Sequence, residues 1–354
     1  MGFVLRLLVT VVVGAIGGVI ASKLNIPAGY MVGSLIIVMA INLTAGHMYI
    51  PSNLRVFVQM LSGALIGSRV TRDEIRELRY IVTPVILLLV SFVLLMLAIG
   101  SLLWLVGGLD PVTALYASAP GGVSDMGLIA GEFGANTAMV TMLQMIHLVS
   151  VVVSYPLIFK WMEHKGILEG RSLQKMQGAA KAASPTRGEL IRGTTLTFVC
   201  GIAGGFFLWT INFPAGAIVG GMLGAACLSI ATPELHIEGR LRSGIQVFSG
   251  AYLGTQITRN DAILMASSGM SVLIVIVSVL TLPILFGYLV HKATGADLGT
   301  MLFSATPGGV QEMALLAEDM GLDAPKISIA HTARLVVVLA AFPTLIRFML
   351  SFVV

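Results

Sequence analysis

The stretch Pro-Gly-Gly-Val-Ser-Asp-Met at residues 120–126 returns as Pro-Gly-Gly-Val-Gln-Glu-Met at residues 307–313, and this pair decides the fold. Each copy lies inside an apolar segment, near 111–131 and near 298–317. A proline followed by two glycines does not continue an α-helix. Both segments are therefore predicted to be interrupted helices.

The spacing of these motifs, 187 residues from position 120 to position 307, also relates most of the two halves of the chain without a gap. A constant spacing over so many residues indicates an internal duplication. The halves are 1–160 and 193–354, joined by a charged linker at 161–192. The matched pairs are Asn25 and Asn212, Pro27 and Pro214, Gly33 and Gly220, Arg55 and Arg242, Gln59 and Gln246, Ser62 and Ser249, Gly63 and Gly250, Gly67 and Gly254, Asp110 and Asp297, Gly134 and Gly321, and Pro156 and Pro343.

The composition is that of a membrane protein. Of the 354 residues 56% are hydrophobic and 11% are charged, whereas soluble domains carry roughly 25% charged residues. Apolar runs long enough to cross a bilayer as helices recur along the chain, and they are continuous rather than alternating, which excludes a β-barrel. The runs lie near 3–22, 27–45, 54–69, 80–106, 111–131 and 136–159, then near 193–211, 214–232, 241–257, 264–290, 298–317 and 326–350.

Basic residues predict the topology, because cytoplasmic loops are enriched in Lys and Arg. The linker at 161–192 and the arginine-rich loop at 69–79 are both predicted to be cytoplasmic. Three apolar segments separate these loops, so one of the three does not cross, and the interrupted segment at 111–131 is the candidate. Each half then crosses the membrane five times. Because five is odd, the second half starts on the opposite side and has inverted topology. The net charge of +4 follows this loop bias, so no nucleic-acid partner is expected.

The predicted fold is an all-α polytopic protein of the bacterial inner (cytoplasmic) membrane. It consists of two inverted repeats, each with five transmembrane helices plus one re-entrant or broken helical hairpin. The lipid bilayer is then the main partner. The sequence leaves the oligomeric state open, and a homodimer is one candidate assembly.

The two Pro-Gly-Gly tips are the candidate substrate site, because inverted-repeat transporters bind solutes at interrupted helices near the membrane midplane. The helix that starts at each tip exposes unpaired N–H groups, which suit an anion. The alternative is that the glycines only permit close helix packing. The candidate substrate-binding residues are Pro120, Gly121, Gly122, Ser124, Pro307, Gly308, Gly309, Gln311, Arg334, His331, Gln59 and Gln246.

Asp125 and Glu312 are acids at matched positions inside the membrane, and we predict that they couple transport to an ion gradient. Carboxyls in such positions are costly and usually functional; the alternative is that each caps a local backbone or lies in a water-filled vestibule. A proton is favoured over sodium as the coupling ion. Arg334 needs a partner within its apolar run, either Glu312 or a substrate carboxylate, and these two alternatives stay open. Gln59 and Gln246 either line the path or pack against neighbouring helices.

The duplicated Pro-Gly-Gly-Val-x-x-Met motif, preceded by Gln-x-x-Ser-Gly-x-x-x-Gly at 59–67 and 246–254, resembles the bacterial membrane duplication family filed under the name AbrB. The resemblance covers nearly the whole chain. Some members of that family carry an ammonia monooxygenase label. The resemblance implies a membrane function, with an architecture similar to that of elevator-type secondary transporters.

The leading hypothesis is therefore a secondary active transporter of a small anionic organic solute, not an enzyme, with elevator-like alternating access and no cofactor. The first alternative is a membrane-embedded oxidoreductase of the monooxygenase kind. A copper oxygenase needs a cluster of histidines or carboxylates, and the six histidines, at 47, 147, 164, 236, 291 and 331, show no ligand-like spacing. The second alternative is a membrane sensor or scaffold that transports nothing.

Overall fold

The computed structural model describes residues 3–26, 28–68, 70, 82–121, 126, 129–131, 133–168, 187–213, 215–232 and 240–350, and this part of the chain is helical without a β-strand. The helices are α1 (Phe3–Lys23), α2 (Gly29–Ala45), α3 (Ser52–Gly67), α4 (Val82–Leu105), α5 (Pro111–Ser118), α6 (Thr137–His164), α7 (Arg187–Thr210), α8 (Gly216–Ala231), α9 (Arg240–Gln256), α10 (Arg259–Ser267), α11 (Gly269–Thr294), α12 (Leu298–Ala305), α13 (Val310–Asp319) and α14 (Ala324–Leu350).

Five of the described helices, α1, α4, α6, α7 and α11, are long and apolar enough to cross a hydrocarbon core of about 30 Å. The helices α2 and α8 are also apolar but shorter. The all-helical, multi-pass character predicted from the sequence is thereby confirmed.

The interruption predicted in the second half is present. The helix α12 ends at Ala305, α13 begins at Val310, and residues 306–309 between them are not helical. Eight residues of α-helix span only about 12 Å, so neither α12 nor the equally short α5 can cross a membrane alone. In the first half Gly122, Ser124 and Asp125 lie outside the described residues.

One break was not predicted. The apolar segment expected near 264–290 is divided at Ser268 into the short helix α10 and the long helix α11. Serine and glycine are poor residues for a helix interior, and residues 267–269 read Ser-Ser-Gly. No residue of α10 is buried, so packing does not offset this local preference.

The chain forms two compact units. The first unit comprises Met1–Arg79, Pro156–Thr258 and Val310–Ser328, and the second unit comprises Tyr80–Tyr155, Arg259–Gly309 and Ile329–Val354. Each unit therefore draws on both sequence halves.

In the first unit, the third helix of each half packs on the opening helices of the other half. The helix α3 packs on α7 and α8, while α9 packs on α1 and α2. Glycine makes the approach close: a Cβ added at Gly63 would collide with the carbonyl oxygen of Ile218, and one at Gly250 with that of Met31. These two contacts join matched positions, so the same packing occurs twice.

The register of the contacts fixes the helix directions within the first unit. Along α2, residues Met31, Leu35 and Asn42 meet Gly250, Gly254 and Ile257 in the same order. Along α3, residues Gly63, Gly67 and Ser68 meet Ile218, Met222 and Ser229 in the same order. The helix pairs α2–α9 and α3–α8 thus each run parallel.

Matched turns also share their local conformation. Ala28 and Ala215, directly before α2 and α8, both have left-handed backbone, with φ of 51° and 55°. In the second unit the carboxylates of Asp110 and Asp297 cap α5 and α12 by accepting from the backbone N–H of Thr113 and Thr300, at 2.9 Å and 2.8 Å. Within the second unit, α4 packs on α5 and on α11, and α11 packs on α12.

Candidate functional site

The C-terminal end of α12 is the centre of a buried polar cluster in the second unit. The last carbonyls of a helix lack partners within the helix, and the non-helical residues that follow add further unpaired groups. Phe303 and residues 304–308 are all buried. Their carbonyl oxygens therefore need donors from other elements, and side chains of α6 and α14 supply these.

Arg334 on α14 is the main donor. Its Nη1 donates to the carbonyl oxygen of Thr306 at 3.4 Å, and its Nη2 donates to that of Gly308 at 2.5 Å. The guanidinium also lies over the ring of Phe92, with 5.2 Å between Cζ and the ring centroid. Only 2% of the residue is exposed. A cation suits the negative end of a helix dipole, so one role of Arg334 is to hold the interrupted backbone.

Two histidines lie beside this stretch of backbone. His331 lies three residues before Arg334 on α14, and its Nε2 is 3.1 Å from the carbonyl oxygen of Phe303. Because a carbonyl oxygen can only accept, Nε2 of His331 must carry the proton, which defines the tautomer. His147 on α6 is buried and approaches the backbone of Pro307.

The first half repeats part of this arrangement. Gln144, the matched position of His331, donates from Nε2 to the carbonyl oxygens of Tyr116, Ala117 and Ala119 at 3.2, 3.2 and 2.7 Å. Tyr116 in turn matches Phe303. The sixth segment of each half thus caps the end of the short helix α5 or α12. In the described part of the chain, the end of α12 differs from that of α5 in being capped by a charged guanidinium and an imidazole, those of Arg334 and His331.

The cluster also contains polar atoms that have no hydrogen-bond partner among the described residues. These buried atoms are Nε of Arg334, Nδ1 of His331, Nε2 of His147 and Oγ of Ser304. Buried polar groups are nearly always hydrogen-bonded. No described carboxylate of the second unit forms an ion pair with Arg334. Asp110 and Asp297 cap their own helices, and Asp261 lies in the first turn of α10.

A separate polar contact lies in the first unit, at the start of α13. Nε2 of Gln311 donates to Oγ of Ser249 at 2.7 Å and to Oγ of Ser62 at 3.1 Å. These serines are matched positions on α9 and α3. Each hydroxyl donates in turn to the carbonyl four residues earlier in its own helix. Gln311 therefore joins the two repeat-related helices through one amide group.

The remaining predicted residues are placed as follows. Glu312 is buried in the first turn of α13, beside Gln311. Gln246 is buried on α9 and its Nε2 has no partner among the described residues, whereas Gln59 on α3 is half-buried. Pro120, Pro307 and Gly308 are buried, and Gly121 and Gly309 are half-buried.

The sequence did not predict the roles of Gln144 and Ser304. Gln144 was recognisable only as a polar residue in an apolar segment, and Ser304, three residues before Pro307, carries no signal of its own. The carbonyls that Gln144 holds lie at least 25 residues away in the sequence, so spacing along the chain could not reveal them. His331 and Arg334, three residues apart on α14, both bond to the end of α12 and the residues after it.

Comparison with known proteins places this architecture. The family described as "Transition state regulatory protein AbrB" matches residues 1–163 and 46–350. The chain belongs to the AbrB family. The two matches overlap over residues 46–163, as expected when a duplicated chain is compared with a duplicated family.

Two relatives match nearly end to end. "Uncharacterized protein YhjN" of Bacillus subtilis (strain 168) is 26% identical over 380 residues, covering 95% of this chain and 91% of the relative. "Putative regulator AbrB" of Escherichia coli (strain K12) is 22% identical over 330 residues, covering 93% of this chain and 92% of the relative. This AbrB-family chain is thus similar in length and extent to both.

Proposed function

We propose that this AbrB-family protein is a secondary active transporter of a small anionic organic solute. The observation that carries the proposal is the buried Arg334 at the interrupted helix. Its positive charge is met by carbonyl dipoles and an aromatic ring, and by no described carboxylate of its unit. A buried charge without a countercharge is costly, and a solute carboxylate would supply the missing charge.

The proposed mechanism is alternating access by movement of one unit, in a protein with inverted halves. The division into two compact units supports the movement of one unit. The helix directions in the first unit support the inversion of the halves. If α2 and α3 cross the membrane in opposite senses, then α8, the counterpart of α2, runs with α3 and hence opposite to α2.

The proposed driving force is an ion gradient across the bacterial inner membrane, with a proton favoured over sodium. Glu312 supports this choice as a buried carboxyl in the first turn of α13. A carboxyl in a low-dielectric site can take up and release a proton near neutrality. Asp125 is the matched acid and is proposed for the same role.

Uptake into proteoliposomes tests the proposal. Vesicles containing the purified protein are incubated with a ¹³C-labelled mixture of small carboxylates, amines and sugars under an imposed pH gradient, then washed and analysed by mass spectrometry. We expect carboxylates to accumulate, and Gly308→Val to abolish accumulation while Gly244→Ala, where a Cβ would meet open space, retains it. Accumulation of amines or sugars alone, or of nothing above empty vesicles, would contradict the proposal.

A further inference from the structure

Four buried polar atoms around α12 have no hydrogen-bond partner among the described residues. They say more about a ligand than that it is negatively charged. They belong to Ser304, His147, His331 and Arg334, all of which are buried in the second unit. The backbone bonds of His331 and Arg334 place these two residues beside the short stretch 303–308, which contains Ser304 and which His147 approaches at Pro307. Because buried polar atoms are rarely left unpaired in native proteins, four of them on residues around one stretch of backbone point to a ligand.

The hydrogen-bonding character of these atoms follows from the bonds already made. Nε of Arg334 can only donate. His331 uses one ring N–H on the carbonyl of Phe303, so in the neutral imidazole its other ring nitrogen can only accept. The unpartnered Nε2 of His147 donates or accepts according to its tautomer. The hydroxyl of Ser304 can do either. A matching solute must therefore offer an acceptor to the guanidinium and a donor to an imidazole.

A small carboxylate commonly carries one of two hydrogen-bond donors, a hydroxyl or an ammonium group. The positive charge of Arg334 decides which of them fits. One carboxylate neutralises Arg334. A hydroxyl then completes the hydrogen bonds without adding charge, whereas an ammonium group would leave a net positive charge buried next to the guanidinium. Uncompensated buried charge is strongly unfavourable. No described carboxylate of the second unit is paired with Arg334 to offset it, and Asp110 and Asp297 cap their own helices.

We propose that the solute is a small hydroxycarboxylate, with its carboxylate on Arg334 and its hydroxyl donating to the imidazole of His331 or His147. This rests on the proposed transport function and narrows the solute class. Ser304 accepts from or donates to the same solute. At the matched positions of the first half, Gln144 stands where the second half has His331 and His147 stands where it has Arg334.

Ligand series measured on the purified full-length protein test the proposal. A ligand that binds the folded state raises the melting temperature, so binding is followed by thermal shift and calorimetry. The probes are propanoate, 2-hydroxypropanoate and 2-aminopropanoate, and the corresponding butanedioates. We expect the hydroxy member of at least one series to bind about tenfold more tightly than its deoxy analogue, since one hydrogen bond contributes roughly that factor.

Variants of the two histidines test whether their imidazoles cause the preference for hydroxy over deoxy carboxylates. His331→Gln keeps one donor and one acceptor and should retain the preference, as a glutamine already caps the matched position. In His331→Leu or His147→Leu the ratio between hydroxy and deoxy binding should fall towards one in at least one variant. Size-exclusion chromatography checks that each variant is folded. If a variant does not fold, the ligand series on the wild-type protein still tests the proposal.

The outcomes separate the two proposals. Equal binding of hydroxy and deoxy members, or tighter binding of the amino members, overturns the hydroxycarboxylate inference and leaves an anion transporter in place. Absence of binding by every carboxylate, together with accumulation of a neutral or cationic solute in proteoliposomes, overturns both.

Discussion

At the residue scale, two adjacent side chains at the start of α13 differ in their surroundings. Gln311 is tied to Ser62 and Ser249 by short hydrogen bonds. Glu312, the next residue, is buried in the first turn of α13, and it is the acid that we propose for proton coupling.

Glu312→Gln tests the coupling role, because glutamine resembles the protonated acid but cannot release a proton. We expect pH-driven solute accumulation in proteoliposomes to be abolished, while exchange of labelled for unlabelled solute continues, since exchange needs no net proton movement. Glu163→Gln, at an exposed acid near the end of α6, is the control and should leave both activities intact. Accumulation that follows a sodium gradient at constant pH and is unchanged in Glu312→Gln would rule out proton coupling through this residue.

A second prediction at this scale concerns backbone strain. Ala28 and Ala215 have positive φ, where an L-residue other than glycine is disfavoured by about 1 kcal/mol. Ala28→Gly and Ala215→Gly should each raise the free energy of unfolding by up to about 1 kcal/mol, less the extra backbone entropy of glycine in the unfolded chain. The exposed Ala266→Gly within α10 should lower stability instead. Chemical denaturation in detergent measures all three, and destabilisation by both loop variants would contradict the strain argument.

At the element scale, small residues let helices from different halves approach each other. The α3–α8 and α9–α2 contacts bring glycine against backbone carbonyls, with no room for a methyl group. Such packing is a main source of helix association in membranes, where burial of apolar surface gives no advantage over lipid. These helices can approach so closely because glycine has no side chain at the contact positions.

Two glycines of α9 provide a matched test. Gly250→Ala would push a methyl group into the carbonyl of Met31 and should cost about 1–3 kcal/mol. Gly244→Ala, six residues earlier on the same helix, would meet nothing within 4 Å and should be neutral or stabilising through its higher helix propensity. Melting temperatures in detergent give the comparison. Equal effects of the two substitutions would show that α9 does not pack on α2 in this way.

At the scale of the whole molecule, the proposed inversion of the halves makes a prediction about matched loops. Leu109 and Ala296 occupy matched positions in the loops before α5 and α12. The first loop has no basic residue, whereas the second is preceded by His291 and Lys292, so they should lie on opposite sides of the membrane.

Single cysteines at positions 109 and 296 test whether the two loops lie on opposite sides of the membrane. They are introduced into a variant in which Cys200 and Cys227 are replaced by alanine. In intact cells an impermeant thiol reagent should label Leu109→Cys, and it should label Ala296→Cys only after permeabilisation. Labelling of both positions from outside would indicate parallel repeats and contradict the inverted arrangement. Permeabilised cells serve as the control that both thiols are reactive.

The sequence predicted local features well and distant contacts poorly. The helix bounds and the break after Ala305 follow from hydropathy and from Pro-Gly-Gly, which act within a few residues. The break at Ser268 escaped because the apolar residues on both sides of Ser-Ser-Gly read as one continuous segment. The cap that Gln144 forms on Ala119 escaped because nothing in one sequence says which buried donor meets which carbonyl. Likewise, the Gln-x-x-Ser-Gly motifs predicted close packing but not that the partners would be in the opposite half.

The reciprocal packing of α3 and α9 has a consequence for biosynthesis. The helix α3 ends at Gly67, and its partners α7 and α8 begin at Arg187 and Gly216. Translation proceeds at roughly 5–20 residues per second, so α3 leaves the ribosome at least about 6–24 s before its partners exist. During that time its glycine-lined face meets lipid or an insertion factor. Cells must therefore keep a nascent, half-made chain from being degraded, and a nonsense mutation in the linker leaves a fragment that has no native partner for α3.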